Sequence, residues 1–273
     1  MQMPELPEVE TTMRGLTPVL LHQRLTSVEP RRADLRKAIP VDLRQRLTGA
    51  TVTALARRAK YGLIGTARGD TLIFHLGMSG RWRVDPTKVE PHDHLLLETD
   101  AGRRLALNDP RRFGFLDLLP TAELDAYPPF AAMGPEPLGP TLTGAYLLAA
   151  LNGRTAPIKA MLLDQRIVAG LGNIYVCEAL HRARIAPTRA AGRIALPRLE
   201  RLADAIKAVL RDAIAAGGSS LRDFAHPDGA LGYFSKQFRV YGREGEPCAC
   251  GGVVRRRVEA GRSTFWCPAC QRG

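Results

Sequence analysis

The chain has no run approaching the ~18 apolar residues that a membrane-spanning helix requires, so no spanning helix is expected. Positive charge is missing where a secretory signal needs it. Glu5, Glu8 and Glu10 occupy that stretch instead, and a cytoplasmic protein is expected. Internal repeats and low-complexity tracts are also lacking, which removes solenoids and disordered tails from consideration. Acid is scarce relative to base: 27 acidic residues against 39 basic ones leave a net charge of +12. That surplus points to a polyanionic partner, nucleic acid first and a membrane surface second. Lysine contributes only six of the basic residues, a bias that reflects genome composition and carries no functional weight. What is present suffices for a packed core, since 45% of the 273 residues are hydrophobic, enough for one large or two ordinary domains.

The hydrophobic period changes once along the chain. Val9, Met13, Leu16 and Leu20 recur at helical spacing, with Gly15 and Pro18 predicting a kink. Short β runs then follow at residues 51–56, 63–67, 71–76, 81–84, 94–99, 104–107 and 115–119, separated by turns such as Arg68-Gly69-Asp70, the pattern of a sandwich or barrel. Residues 128–140 contain five prolines and two glycines and cannot continue a helix or a central strand. Beyond them the period is helical, over 144–151, 158–163, 173–183 and 198–215. The expected organisation is a sandwich over 3–127, a linker over 128–140, a helical region over 141–238 and a finger over 239–273. Gly170-Leu171-Gly172-Asn173 lies between two helices, either as a plain turn or as a start whose backbone N–H groups face a phosphate. Residues 217–232 are polar and glycine-rich enough for a mobile loop over a site.

Cysteine is nearly absent until the end, where Cys248-Ala249-Cys250 and Cys267-Pro268-Ala269-Cys270 bracket a β-like stretch over 253–266. Two close pairs flanking a hairpin resemble a four-cysteine zinc ribbon, with one structural Zn2+ per chain. Disulfides are the alternative, disfavoured in the cytoplasm. The single residue between Cys248 and Cys250 is one fewer than most such knuckles use. Cys177, in an apolar helix, reads as an inert core thiol. Arg255, Arg256, Arg257 and Arg262 make the finger basic, which favours a DNA-facing hairpin.

The start of the chain carries Pro4-Glu5-Leu6-Pro7-Glu8. As a helix entrance, it places Pro7 in the first turn and acids at the positive dipole end. As a reactive group, an N-terminal proline is a secondary amine with a pKa of ~7.7–8.0, so roughly a tenth is unprotonated at neutral pH. Such an amine attacks a sugar C1′ to give a cationic iminium while the neighbouring Glu5 donates a proton to the departing or ring-opening oxygen. A chain that retains Met1-Gln2-Met3 has no such amine, because Pro4 nitrogen is then an amide.

Six blocks occur in one order: Pro4-Glu5-Leu6-Pro7-Glu8, Lys60-Tyr61, His75-Leu76-Gly77-Met78-Ser79-Gly80, Asp109-Pro110-Arg111-Arg112-Phe113-Gly114, Gly172-Asn173-Ile174-Tyr175 and the terminal cysteine quartet. From Pro4 to Cys270 the chain resembles the formamidopyrimidine-DNA glycosylases, which excise 8-oxoguanine and ring-opened purines. The resemblance implies an α+β multidomain fold: an N-terminal β-sandwich preceded by a helix, a helix–two-turn–helix region and a terminal β-hairpin zinc finger. It implies a monomer acting on damaged double-stranded DNA, with Pro4 as nucleophile, Glu5 as proton donor, and Lys60 contacting a phosphate and assisting β-elimination. Met78, Arg111 and Phe113 would fill the gap left by the flipped base, Arg111 pairing with the orphaned cytosine and Phe113 wedging into the stack. His92, Arg154, Asn173 and Tyr241 would hold the backbone, and Arg262 would bind phosphate and help δ-elimination. Without the resemblance, Lys60 reads as a solvated strand-end lysine, and Met78 and Phe113 as core residues. The endonuclease VIII-like branch, specific for oxidised pyrimidines, shares the proline and the finger, but Leu6 and Arg111-Arg112-Phe113-Gly114 favour the purine branch. A damage-binding protein without catalysis is the alternative from another class.

Overall fold

The structure, a computed structural model, describes residues 3–219 and 232–272, so most of the glycine-rich loop expected over 217–232 lies outside the described residues. Two compact units emerge, Met1–Ala131 with Ala216–Ser235, and Ala132–Ala215 with Lys236–Gly273.

The first unit opens with α1, Leu6–Leu20, which places Pro7 in the first turn, where its missing N–H costs nothing. The predicted kink is not needed: α1 runs uninterrupted across Gly15 and Pro18, because Pro18 falls in the last turn. Next come β1 (Leu25–Pro30), α2 (Leu43–Leu47), β2 (Val52–Arg58), β3 (Tyr61–Thr66), β4 (Asp70–His75), β5 (Arg81–Val84), β6 (Asp93–Thr99), β7 (Arg104–Asn108) and β8 (Phe115–Pro120). They form two antiparallel four-stranded sheets, ordered β1-β6-β7-β5 and β2-β3-β4-β8. Val28, Leu97, Leu105 and Trp82 from one sheet share a core with Val52, Ile64, Leu72, Phe74 and Leu118 from the other, and α1 adds Val9, Met13, Leu16 and Leu20. This is a sandwich with a helix on its flank. A short helix α3, Pro128–Ala131, begins on two prolines in the segment read as unable to continue a helix; prolines are tolerated where a helix begins.

The second unit contains α4 (Gly144–Leu151), α5 (Ile158–Leu163), α6 (Asn173–Arg182) and α7 (Leu196–Ala215), then the hairpin β9 (Arg255–Glu259) and β10 (Arg262–Trp266). Thr143 caps α4 by accepting from the Tyr146 N–H at 3.0 Å. The hairpin turn is Ala260-Gly261, both at positive φ (46° and 74°), the two-residue geometry that matches strand twist. Among the described residues no helix is long and apolar enough to cross a membrane.

Candidate active site and nucleic-acid interface

Pro4 and Glu5 are buried at the entrance of α1, where a reciprocal capping box fixes them. The Glu5 carboxylate accepts from the Glu8 N–H, and Glu8 Oε2 accepts from the Glu5 N–H at 2.9 Å. Glu8 Oε1 also accepts from the Ser219 N–H and hydroxyl, both at 2.8 Å. A carboxylate that is 2% exposed thus ties the N-terminal segment to Ser219, at the start of the glycine-rich stretch.

Lys60 occupies the two-residue tip between β2 and β3, after Ala59 at φ 52°. It is 8% exposed, so the solvated strand-end reading fails. The tip is pinned by Arg57, whose Nε donates to Glu10 Oε2 on α1 at 3.1 Å and whose Nη1 donates to the Ala59 carbonyl at 2.9 Å. One buried guanidinium therefore fixes the Lys60 turn relative to the helix that carries Pro4 and Glu5. Below it, His75 stacks on Phe115 (5.5 Å between centroids, 7° between planes) and accepts the Gly77 N–H on Nδ1 at 3.0 Å. Burial, then the positive charges of Lys60 and Arg36, lower its pKa to about 4, so the ring is neutral at physiological pH.

The loops holding Met78, Arg111 and Phe113 are interlocked through their backbones. A Cβ on Gly77, at φ 62°, would stand 2.3 Å from the Gly114 nitrogen and the Phe113 carbonyl carbon, and one on Gly114 would meet the His75 oxygen at 2.6 Å. Only glycine permits that approach. Asp109, 1% exposed, is the polar centre: Ser79 Oγ donates to Oδ1 at 2.5 Å and Gly114 N–H to Oδ2 at 2.8 Å, while Arg111 N–H donates to Ser79 Oγ at 3.1 Å. His94 Nε2 meets the Asp109 carbonyl at 2.9 Å, and the Asp109 N–H donates to the carbonyl of exposed His92. Phe113 is 43% exposed and Met78 half-buried, so neither is a core residue. The Arg111 guanidinium lies 4.8 Å from the Phe113 ring centroid, a cation–π contact that holds both side chains at the surface.

In the second unit, Gln165 shapes the Gly170-Leu171-Gly172 turn, accepting from Gly170 N–H at 2.8 Å and donating to the Leu171 carbonyl at 3.0 Å. Asn173 begins α6, and its Nδ2 donates to the Ser263 carbonyl at 2.8 Å and to Tyr241 Oη at 3.4 Å. The amide donors that a phosphate would use are thus turned toward the hairpin. Lys159 on α5, 2% exposed, donates to the same Ser263 carbonyl at 3.2 Å and to Thr264 Oγ1 at 2.7 Å; burial lowers its pKa. Two helices therefore grip the residue next to Arg262, which stands exposed at the hairpin tip. Glu178 on α6 accepts the N–H groups of Arg239, Val240 and Tyr241 at 3.0, 3.0 and 2.8 Å, fixing the strap that leads to the finger. Arg154 is exposed beside its turn.

The Sγ atoms of Cys248, Cys250, Cys267 and Cys270 all lie within 4.8 Å of one another. A tetrahedron of thiolates ~2.3 Å from one ion demands S–S separations of this order, so the quartet can hold a metal ion. The tight knuckle is made by Gly251 at φ 86° and closed by Cys248 N–H to the Gly252 carbonyl at 2.8 Å. A Cβ on Gly252 would lie 2.8 Å from Cys267 Sγ, so the backbone itself forms one wall of the cradle. Gln271 bonds both ways with Cys267 and donates to the Ile185 carbonyl at 2.9 Å, anchoring the quartet beside α6. Cys177 is a buried thiol in the apolar cluster beneath it.

Models of the formamidopyrimidine-DNA glycosylase N-terminal domain and of the formamidopyrimidine-DNA glycosylase H2TH domain match residues 3–116 and 133–225. A formamidopyrimidine-DNA glycosylase of Rhizorhabdus wittichii is 71% identical over 270 residues, which cover 99% of this chain and 100% of that protein. The chain belongs to the formamidopyrimidine-DNA glycosylase family. The Novosphingobium aromaticivorans member is 63% identical over the same coverage. Among solved structures, a mutant Lactococcus lactis FPG in complex with Fapy-dG-containing DNA superposes with a TM-score of 0.91 at 35% identity, covering 99% of this chain and 100% of that one. The MutM (FPG) protein of Thermus thermophilus gives 0.87 at 41%, with 98% of each chain covered. As a formamidopyrimidine-DNA glycosylase, the protein is a DNA-repair enzyme of base excision with AP lyase activity.

The residues that sequence reading passes over in this glycosylase are those that hold others: Glu8, Arg57, Glu10, Asp109, Lys159 and Glu178. The one signal available for Glu8 was its place three residues after Glu5, the spacing of a capping box. Asp109 stands in a quoted block, but nothing in the block shows its bond to Ser79 thirty residues earlier, and Glu178 offers no signal because its partners are backbone N–H groups.

Proposed function

We propose that this glycosylase excises oxidised purines, 8-oxoguanine and formamidopyrimidines, from duplex DNA through Pro4, and then cleaves the strand by β,δ-elimination. The observation that carries the reading is the joint placement of buried Pro4 and Glu5 at the capped start of α1 and of buried Lys60 on a tip that Arg57 ties to the same helix. Pro4 nitrogen, once it is the terminal amine, attacks C1′; the C–N bond forms as the glycosidic bond breaks, and Glu5 delivers the proton that the sugar oxygen needs. The resulting iminium acidifies the C2′ proton, so the same covalent adduct allows the strand to break. Lys60 and Arg262 neutralise the phosphates that leave. Residues 1–3 must be removed for this chemistry, because a tertiary amide has no available lone pair.

Flipping a base costs a few kcal/mol, and exposed Phe113, half-buried Met78 and Arg111 are the side chains available to fill the gap. Their backbone-locked loops keep the wedge preformed. Arg154, Tyr241, His92 and the N-terminal turn of α6 at Asn173 supply backbone contacts. The Asn173 amide acts by holding the hairpin, and the α6 backbone by facing the phosphate. The four cysteines suit Zn2+, which would cross-link a hairpin too small to fold by apolar burial alone. The enzyme would work as a monomer in the bacterial cytoplasm, on nucleoid DNA.

The test is excision from matched duplexes carrying 8-oxoguanine, a ring-opened purine or an oxidised pyrimidine. Release of the two purines in preference to the pyrimidine is expected; preference for the pyrimidine would assign the chain to the endonuclease VIII-like specificity. Metal analysis of active protein should give one zinc per chain, and substoichiometric zinc with full activity would remove the zinc assignment.

A further inference from the structure

An open cavity of about 950 Å3 lies in the second unit, lined by Arg182 at the end of α6 and Arg184 just after it, Arg198 and Arg201 in the first turns of α7, and Arg272 beyond the last cysteine. No carboxylate is among its lining residues. Arg182 reaches out of it to Asp212 at 2.8 Å, and Arg198 donates to the carbonyls of Arg184 and Arg272 at 3.1 and 2.9 Å. The guanidiniums of Arg184 and Arg201 make no hydrogen bond among the described residues.

This concentration of charge opposes stability twice. The first turn of α7 holds no acidic residue and presents Arg198 to the positive end of a 20-residue helix dipole. Burial and the neighbouring Arg189 and Arg201 pull the Arg198 pKa down, the mark of like charges crowded together. Cys250 and Cys270 of the cysteine quartet reach the same cavity, and a divalent ion held on four thiolates would bring a net charge of about minus two. Asp212 offsets one more, so about two positive charges remain uncompensated.

We propose that this cavity is a second phosphodiester site, separate from the lesion site, that takes the backbone of another duplex segment while the enzyme is engaged. Position supports the separation: α6 runs from Asn173, gripped to the hairpin of Arg262, to Arg182 at the cavity, about 13 Å at 1.5 Å per residue. Composition supports a phosphate chain over a free nucleotide. The lining has no aromatic or large apolar side chain on which a base could stack, only Ala183, Ala269 and two cysteines among the arginines. Planar guanidiniums on three chain segments suit successive phosphates. The choice of DNA as the polyanion rests on the glycosylase reading above.

The experiment uses zinc-loaded protein that begins at Pro4, saturated with a duplex containing a tetrahydrofuran abasic analogue, to which a short undamaged duplex with a different dye is added; excision is read separately on a duplex carrying 8-oxoguanine. Sedimentation at low salt reads both dyes. A ternary complex is expected for the protein without substitutions, and about tenfold weaker uptake of the undamaged duplex for Arg184→Gln with Arg201→Gln, with zinc content and 8-oxoguanine excision unchanged. Absence of a ternary complex while excision is intact overturns the second site; absence of excision would instead count against the glycosylase reading. Equal uptake by the double variant, or binding of inorganic phosphate but no duplex, also overturns it. Loss of zinc from the double variant would assign the arginines to screening the thiolates.

Discussion

The first unit holds its functional loops backbone to backbone over the apolar core of two sheets, whereas the second suspends its hairpin from a few buried polar side chains and four thiols. Each unit therefore fails in a different way. Loops around Gly77 and Gly114 cannot shift without a clash, and the buried Asp109 network ties them together, so the Met78, Arg111 and Phe113 side chains are preorganised. Arg262 has no such backing. Its position depends on Lys159, Asn173 and Glu178 and on the cysteine quartet at the base of the hairpin.

The largest expected effect is metal removal. Chelation should abolish DNA binding while the sandwich stays folded, and the two tryptophans report this separately: Trp82 is buried between the sheets and Trp266 sits half-buried on β10. In a Trp266→Phe variant, chelation should leave the Trp82 emission unchanged; a red shift there would show that the sandwich also depends on the metal. Next, Gly77→Ala should destabilise the first unit by about 2–4 kcal/mol, since a Cβ meets backbone and φ is positive. Thermal unfolding measures it, and a loss below about 1 kcal/mol would show that the two loops are not locked.

His75 gives the first unit an acid sensitivity. Its folded pKa of about 4 lies below the ordinary 6.5, so the unfolded chain binds the proton more readily and stability falls as pH drops from about 6.5 toward 4. The contribution is on the order of 3 kcal/mol across that window. His75→Gln should flatten that limb of the stability profile by about one proton, and an unchanged slope would place the sensitivity elsewhere.

Smallest are the contact residues. Affinity should fall with salt at a log–log slope of magnitude ~3–6, and Arg262→Ala should lower it by about one. Arg111→Ala should leave the slope nearly unchanged and cost ~1–3 kcal/mol of opposite-base discrimination. Intact discrimination would remove Arg111 from its assigned place.

Much of this architecture is legible in the sequence, because period-2 and helical patterns express burial that each residue feels locally. β5, α4 and α5 begin and end where the pattern predicts, at Arg81–Val84, Gly144–Leu151 and Ile158–Leu163. β1 escapes notice since Thr26, Ser27, Glu29 and Pro30 interrupt its apolar alternation, and pairing with β6 makes it a strand. In the site, reactive residues stand in motifs, whereas most of their supports lie far from their partners in sequence. Arg57 meets Glu10 across 47 residues and Lys159 meets Thr264 across 105, separations over which no spacing rule operates.

Borohydride trapping on duplex containing 8-oxoguanine shows whether Pro4 is the nucleophile. Two forms are compared, one starting at Pro4 and one retaining Met1-Gln2-Met3, each with its N-terminus verified by mass. The Pro4 form should be trapped as a covalent adduct and should nick the strand; the extended form should bind without either. Equal trapping by the verified extended form would contradict the account and move the nucleophile to Lys60.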